Sequence, residues 1–124
     1  MANTIVWADI PVSDMDRARV FYGKVLQAEI AIMEGSDDAV ALLPMDPGGV
    51  GGDLVLRDEL KPSDGGCVVY LNSNGDAAAM MARALAAGAE VLMPVTDMGE
   101  MVGSIGFFKD SEGNRIGVHQ ASTP

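Results

Sequence analysis

The sequence predicts an α+β fold of two tandem βαβββ modules, whose strands form a curved, partly closed mixed sheet around a pocket with the helices outside. Three observations predict it. The order strand, helix, strand, strand, strand occurs twice within 124 residues. The two helices open in similar contexts, PVSDMD and LNSNGD, and a turn-rich KPSDGG segment joins the halves. A single domain over 1–124 is expected, with module 1 over about 1–60 and module 2 over about 65–121.

In module 1, TIVWADIPV (4–12) alternates Val6, Ala8, Ile10 and Val12 against Trp7, Asp9 and Pro11, which is a strand with one apolar and one mixed face. Ser13 or Asp14 can cap the helix that follows, Asp16 sits in its first turn, and Ala18, Phe21, Tyr22, Val25 and Leu26 return at helical spacing. Short apolar runs at 29–33, 39–43 and 53–56 are expected as three strands. GGVGGD (48–53) has neither the lysine nor the following helix of a phosphate loop, so it is a flexible lead into a strand.

In module 2, GCVVYLN (66–72) is a strand, and Asp76 opens an Ala/Met-rich helix that runs to about Ala87 and stops at Gly88. GAEVLMP, VGSIGFFKD and NRIGVHQ supply three more strands. Between the last two, DSEGN suits a type I turn with Asp110 first and Gly113 fourth, leaving Asn114 to take the strained conformation after it.

A formal charge of −10 and a pI near 4.2 exclude nucleic acid and anionic membranes as partners, because both are bound through Lys and Arg. A neutral or cationic small molecule fits that field. No signal peptide or membrane span is evident, so a cytoplasmic protein is expected. The lone cysteine, Cys67, agrees with a reducing compartment and is expected to be buried.

Trp7 and Asp9 share the mixed face of the first strand, where an aromatic platform beside a carboxylate suits a planar or cationic ligand. Tyr70 and Asn72 alternate with Val69 and Leu71 and offer hydrogen bonds if their register points them inward. Phe107 and Phe108 are consecutive, so one faces the cavity and the other the helices; which one is left open, with Phe107 carried as the candidate. Met93, Met98 and Met101 flank a loop and could adapt to apolar ligands. His119, the only histidine, is a strand-end residue that could line a cavity mouth or act as a general base there.

Several stretches in order, IPVSDMDRARVFYGKVL, GVGGDLVL, KPSDGGCVVYLN, AAGAEVLMPVTDMGE and GFFKDSEGNRIGVHQ, resemble a bacterial branch of the vicinal oxygen chelate superfamily. That superfamily holds lactoylglutathione lyase, bleomycin-resistance proteins and extradiol dioxygenases. The chain departs from the branch at Gln27, where Gly is usual, at Asp53, where a small residue is usual, and at Val95, where Lys is usual. In metal-using members each module supplies two ligands, from its first and last strands, to one divalent cation. These slots fall on Trp7, on Cys67 or Val68 depending on register, near Asp53, and on Gly117. One carboxylate does not make a metal site.

The resemblance therefore implies a homodimer that needs no cofactor and binds a small organic molecule, for sequestration or resistance. Trp7, Asp9, Asp53, Tyr70, Asn72, Phe107 and His119 are the expected ligand-binding residues. Two alternatives are a divalent-metal-dependent lyase or isomerase of the lactoylglutathione lyase type, with a substituted ligand set of Asp9, Asp53, Cys67 and His119, and a structural or interaction subunit without ligand.

Overall fold

The computed structural model describes residues 3–122, so positions 1–2 and 123–124 of the expected domain lie outside it. In chain order the elements are β1 (Trp7–Pro11), α1 (Met15–Leu26), β2 (Val40–Leu42), β3 (Gly51–Val55), β4 (Val69–Asn72), α2 (Ala77–Ala86), β5 (Glu90–Asp97), β6 (Ser104–Lys109) and β7 (Arg115–Gln120). The α+β class and the repeated module are as expected. In each module the first strand lies parallel beside the last, and the last is antiparallel to the strand preceding it.

The strands divide between two mixed sheets, ordered β1-β3-β2 and β4-β7-β6-β5, rather than forming one. Pro11 helps to explain the break. Its nitrogen carries no hydrogen, and its carbonyl, on the side of β1 away from β3, accepts from the side-chain amide of Asn114 at 2.8 Å. The expected strand at 29–33 is reduced to a single bridge between Ile32 and Ala41. The carbonyl of Ile30 accepts instead from Arg19 Nε at 2.6 Å, and the turn beyond it holds Asp37 and Asp38 at positive φ.

One core joins both modules. Ile10, Val12, Ala18, Phe21, Tyr22 and Val25 pack with Met80, Ala84, Phe108, Ile116 and Val118, and the Phe21 and Phe108 ring centroids lie 5.8 Å apart. Each helix starts as its sequence indicates: Asp14 Oδ1 accepts from the Arg17 N–H and Asp76 Oδ1 from the Ala79 N–H, both at 3.0 Å. Across the helix pair, Arg83 Nε donates to the Val25 carbonyl at 2.9 Å, placing a cation at the negative end of α1.

The DSEGN turn proves to be the clamp between modules. Glu112 Oε1 accepts from the backbone N–H groups of Ser13 and Asp14, each at 2.8 Å, and Oε2 accepts from Arg17 Nε at 2.7 Å. Asp110 Oδ2 accepts the buried Tyr22 hydroxyl at 2.5 Å, while its Oδ1 accepts the N–H groups of Glu112 and Asn114. Burial, and then the Asp110 carboxylate, push the Tyr22 phenol well above its usual pKa. The residue at positive φ is Gly113, not Asn114, whose side chain is needed for Pro11 and for the Ser63 N–H.

Gln27 ends α1 in the left-handed conformation, φ 54 and ψ 46, while the Ala28 N–H closes back on the Gly23 carbonyl at 3.1 Å. A side chain there is strained, which explains why glycine suits the position. Gln27→Gly is expected to raise stability by about 0.5–1 kcal/mol in urea unfolding with an unchanged slope.

Burial opposes ionisation of Glu112, but Arg17, the Ser13 and Asp14 N–H groups and the Ser111 hydroxyl outweigh it and hold its pKa at about 2. Because the unfolded carboxyl titrates near its ordinary 4.5, this stabilisation is complete above that value and is lost as pH falls towards 2. Glu112→Gln should cost about 1–3 kcal/mol at pH 7 and should flatten the acid limb of a stability–pH profile.

Candidate functional site

Strand register defines the face of each sheet turned away from the helices. In the first sheet Trp7, Asp9 and Pro11 stand beside Gly51, Asp53 and Val55, whereas Ile10 and Leu54 point into the core. In the second, Tyr70 and Asn72 stand beside Gly117 and His119, whereas Leu71 and Val118 point into the core. A Cβ at Gly117 would lie 2.7 Å from Cε2 of Tyr70, whose ring covers that glycine, and one at Gly51 would meet the Met45 sulfur first and then Cζ3 of Trp7 at 2.9 Å. At position 117 only a residue without a side chain admits the ring.

The consecutive phenylalanines separate cleanly. Phe108 is fully buried against Phe21, and Phe107 lies on the outer face, with its ring centroid 5.6 Å from that of Tyr70. Arg115, which the sequence did not single out, sits 5.6 Å above the Phe107 ring. Its signal was available, since it shares the odd-numbered face with Gly117 and His119. His119 Nε2 lies 2.7 Å from the Val102 carbonyl, so that nitrogen is the protonated donor and is committed. Asn72 Oδ1 accepts from the Asn74 N–H at 2.8 Å and shapes the turn after β4. Met98 and Met101 are exposed.

Cys67 is exposed rather than buried, because β4 begins only at Val69 and leaves it in the linker. It lines a cavity of about 130 Å³ at the seam between the sheets, with Asp9, Pro11, Lys61, Ser63 and Arg115. Of the seven expected ligand-binding residues only Asp9 reaches that cavity. The others lie on the outer faces, where Trp7 and Tyr70 are 42% and 48% exposed.

The residues do not fit the divalent ion held by the metal-using members of the superfamily that the sequence resembles. Continuing the alternation back from Tyr70 puts Val68, not Cys67, at the second module's first-strand slot, so the four slots hold Trp7, Asp53, Val68 and Gly117. The Tyr70 ring fills the space a side chain at 117 would need. Among the described residues no three His, Cys, Asp or Glu side chains come together to hold a metal, so Asp9, Asp53, Cys67 and His119 do not converge.

What the register does assemble is a carboxyl pair. Asp9 stands beside Asp53 on the parallel strands β1 and β3, and Asp53 is only 7% exposed, with its Oδ1 buried and unpartnered. Burial, and then the neighbouring Asp9, push the Asp53 pKa up to about 6; Trp7 and Arg57 act weakly the other way. The folded state therefore holds a proton that the unfolded chain releases near 3.8, and stability falls as pH rises from that value through 6. Asp53→Asn should remove this fall and raise stability at pH 7 by on the order of 2 kcal/mol, read as a higher Tm at pH 7 and little difference at pH 4.

The family model described as the Glyoxalase/Bleomycin resistance protein/Dioxygenase superfamily matches residues 4–118. Among solved structures, a glyoxalase/bleomycin resistance protein from Albidiferax ferrireducens superposes with a TM-score of 0.75 at 15% identity, covering 97% of this chain and 100% of that one. A glyoxalase-related enzyme from Fulvimarina pelagi gives 0.71 at 17% identity over 96% and 88% of the two chains. TioX from a Micromonospora species gives 0.67 at 17% identity over 97% and 100%. No curated protein matches. The repeated module, its parallel first and last strands and the family match over nearly the whole length agree: the chain belongs to the Glyoxalase/Bleomycin resistance protein/Dioxygenase superfamily.

Proposed function

We propose that this protein binds a small organic molecule on the outer faces of its sheets, without a metal ion, and does so as a homodimer in the cytoplasm. The observation that carries the metal-free reading is the Tyr70 ring lying over Gly117, which turns a ligand slot into an aromatic surface. Tyr70, Phe107 and Arg115 then offer a stacking platform, and Trp7 a second one beside the Asp9–Asp53 pair. A pocket for a drug-sized molecule is ordinarily at least ~300 Å³, larger than the seam cavity. A second copy laid over these faces would supply the missing wall and cover the exposed Trp7, Leu42, Met45 and Tyr70. Binding of this kind suffices for sequestration or resistance, the role suggested by the name of the bleomycin-resistance relatives. Among the described residues no helix is long and apolar enough to cross a membrane.

Protein purified without chelator should carry Ni, Zn, Mn and Fe well below one atom per chain by elemental analysis, and it should sediment as a dimer. Ligands found by thermal shift should bind equally after EDTA dialysis. A stoichiometric metal, lost together with an activity in Asp53→Asn or His119→Ala, would establish the lyase reading instead.

A further inference from the structure

We infer that Asp9 and Asp53, beside Trp7, form the recognition site for the protonated amine of an organic ligand. The inference rests on the small-molecule reading above and names the chemical class bound. Asp53 is 7% exposed, and its buried Oδ1 makes no hydrogen bond among the described residues. A buried acceptor left unpaired costs about 1–3 kcal/mol, so a donor supplied from outside is favoured at that atom. The second carboxylate of the pair, Asp9, is exposed, and among the described residues no salt bridge reaches either one. The positive group that acts on Asp53 is Arg57, an exposed side chain that lies just beyond β3.

The pair is thus a concentration of negative charge with one member buried, one accessible and one acceptor vacant. An alkylammonium group matches all three features. Its N–H groups bond the exposed Asp9 and, on a turn of the Asp53 side chain, Oδ1; its charge balances the pair, and an adjoining apolar or aromatic body can lie on the exposed indole of Trp7. A quaternary ammonium matches the charge but has no N–H to give. A divalent metal would find only two carboxylates here. The rest of the molecule favours the same sign of ligand, with a formal charge of −10.

Trp7 is the only tryptophan, so intrinsic emission reports on this site alone. Three probes of similar size separate the possibilities: benzylamine, benzyl alcohol and benzyltrimethylammonium, each titrated into the full chain at pH 7.5 with Trp7 emission as readout. Benzylamine is expected to bind at least tenfold tighter than benzyl alcohol and severalfold tighter than benzyltrimethylammonium. Asp53→Asn and Asp9→Asn should each weaken the amine about tenfold and leave the alcohol unchanged. Asp9 is exposed, so the second variant guards against a folding defect in the first. Equal binding of amine and alcohol, or an amine affinity indifferent to both substitutions, would overturn the inference while leaving the small-molecule reading in place. Emission unmoved by any of the three at millimolar concentration would overturn both.

Discussion

The structure depends on how five residues of one hairpin hold a distant helix. Asp110, Glu112 and Asn114 put side-chain acceptors and donors on Tyr22, on the Ser13 and Asp14 N–H groups that lead into α1 and on the outer carbonyl of β1. These groups would otherwise be the unsatisfied end of a helix and the unpaired edge of a strand. Because the turn belongs to module 2 and its targets to module 1, the same bonds that terminate local structure also set the two sheets against each other. The outer faces keep their relative position for this reason, and with them Trp7, Asp9 and Asp53 on one side and Tyr70, Phe107 and Arg115 on the other.

Much of this fold was legible because the signals are local. Asp14 and Asp76 cap the helices they precede, apolar spacing marks the buried stripe of α1, and DSEGN marks the hairpin. Where sequence failed, a partner distant along the chain decided the outcome. The run at 29–33 has strand composition, but Arg19 takes the Ile30 carbonyl and only one bridge remains. Cys67 has the polarity of a core residue, but the pleat starts two positions later. Asn114 tolerates positive φ, but its side chain is needed elsewhere and Gly113 bends instead.

The site shows the same division. Sequence alternation was enough to put Trp7 with Asp9 and Tyr70 with Asn72. It could not show that Asp9 meets Asp53, since that follows from the register of parallel strands 44 residues apart, nor that Asn72 and His119 are already committed to backbone groups. The sequence marks Gly117 as a missing ligand. Only packing reveals it as the floor beneath Tyr70, so that losing one kind of site and gaining another are the same change.

The clamp is also one-sided. Both helices are capped by their own Asp, but module 2 adds a second bond from within, Gln120 Oε1 on the Ala77 N–H, while the cap residue of module 1, Asp14, has its own N–H held by a residue 98 positions further along. A chain leaving the ribosome from its N-terminus therefore exposes β1 and α1 long before Glu112 exists to receive them. The first half of this protein must wait, partly ordered and within reach of chaperones or of another nascent chain, until its second half has been made.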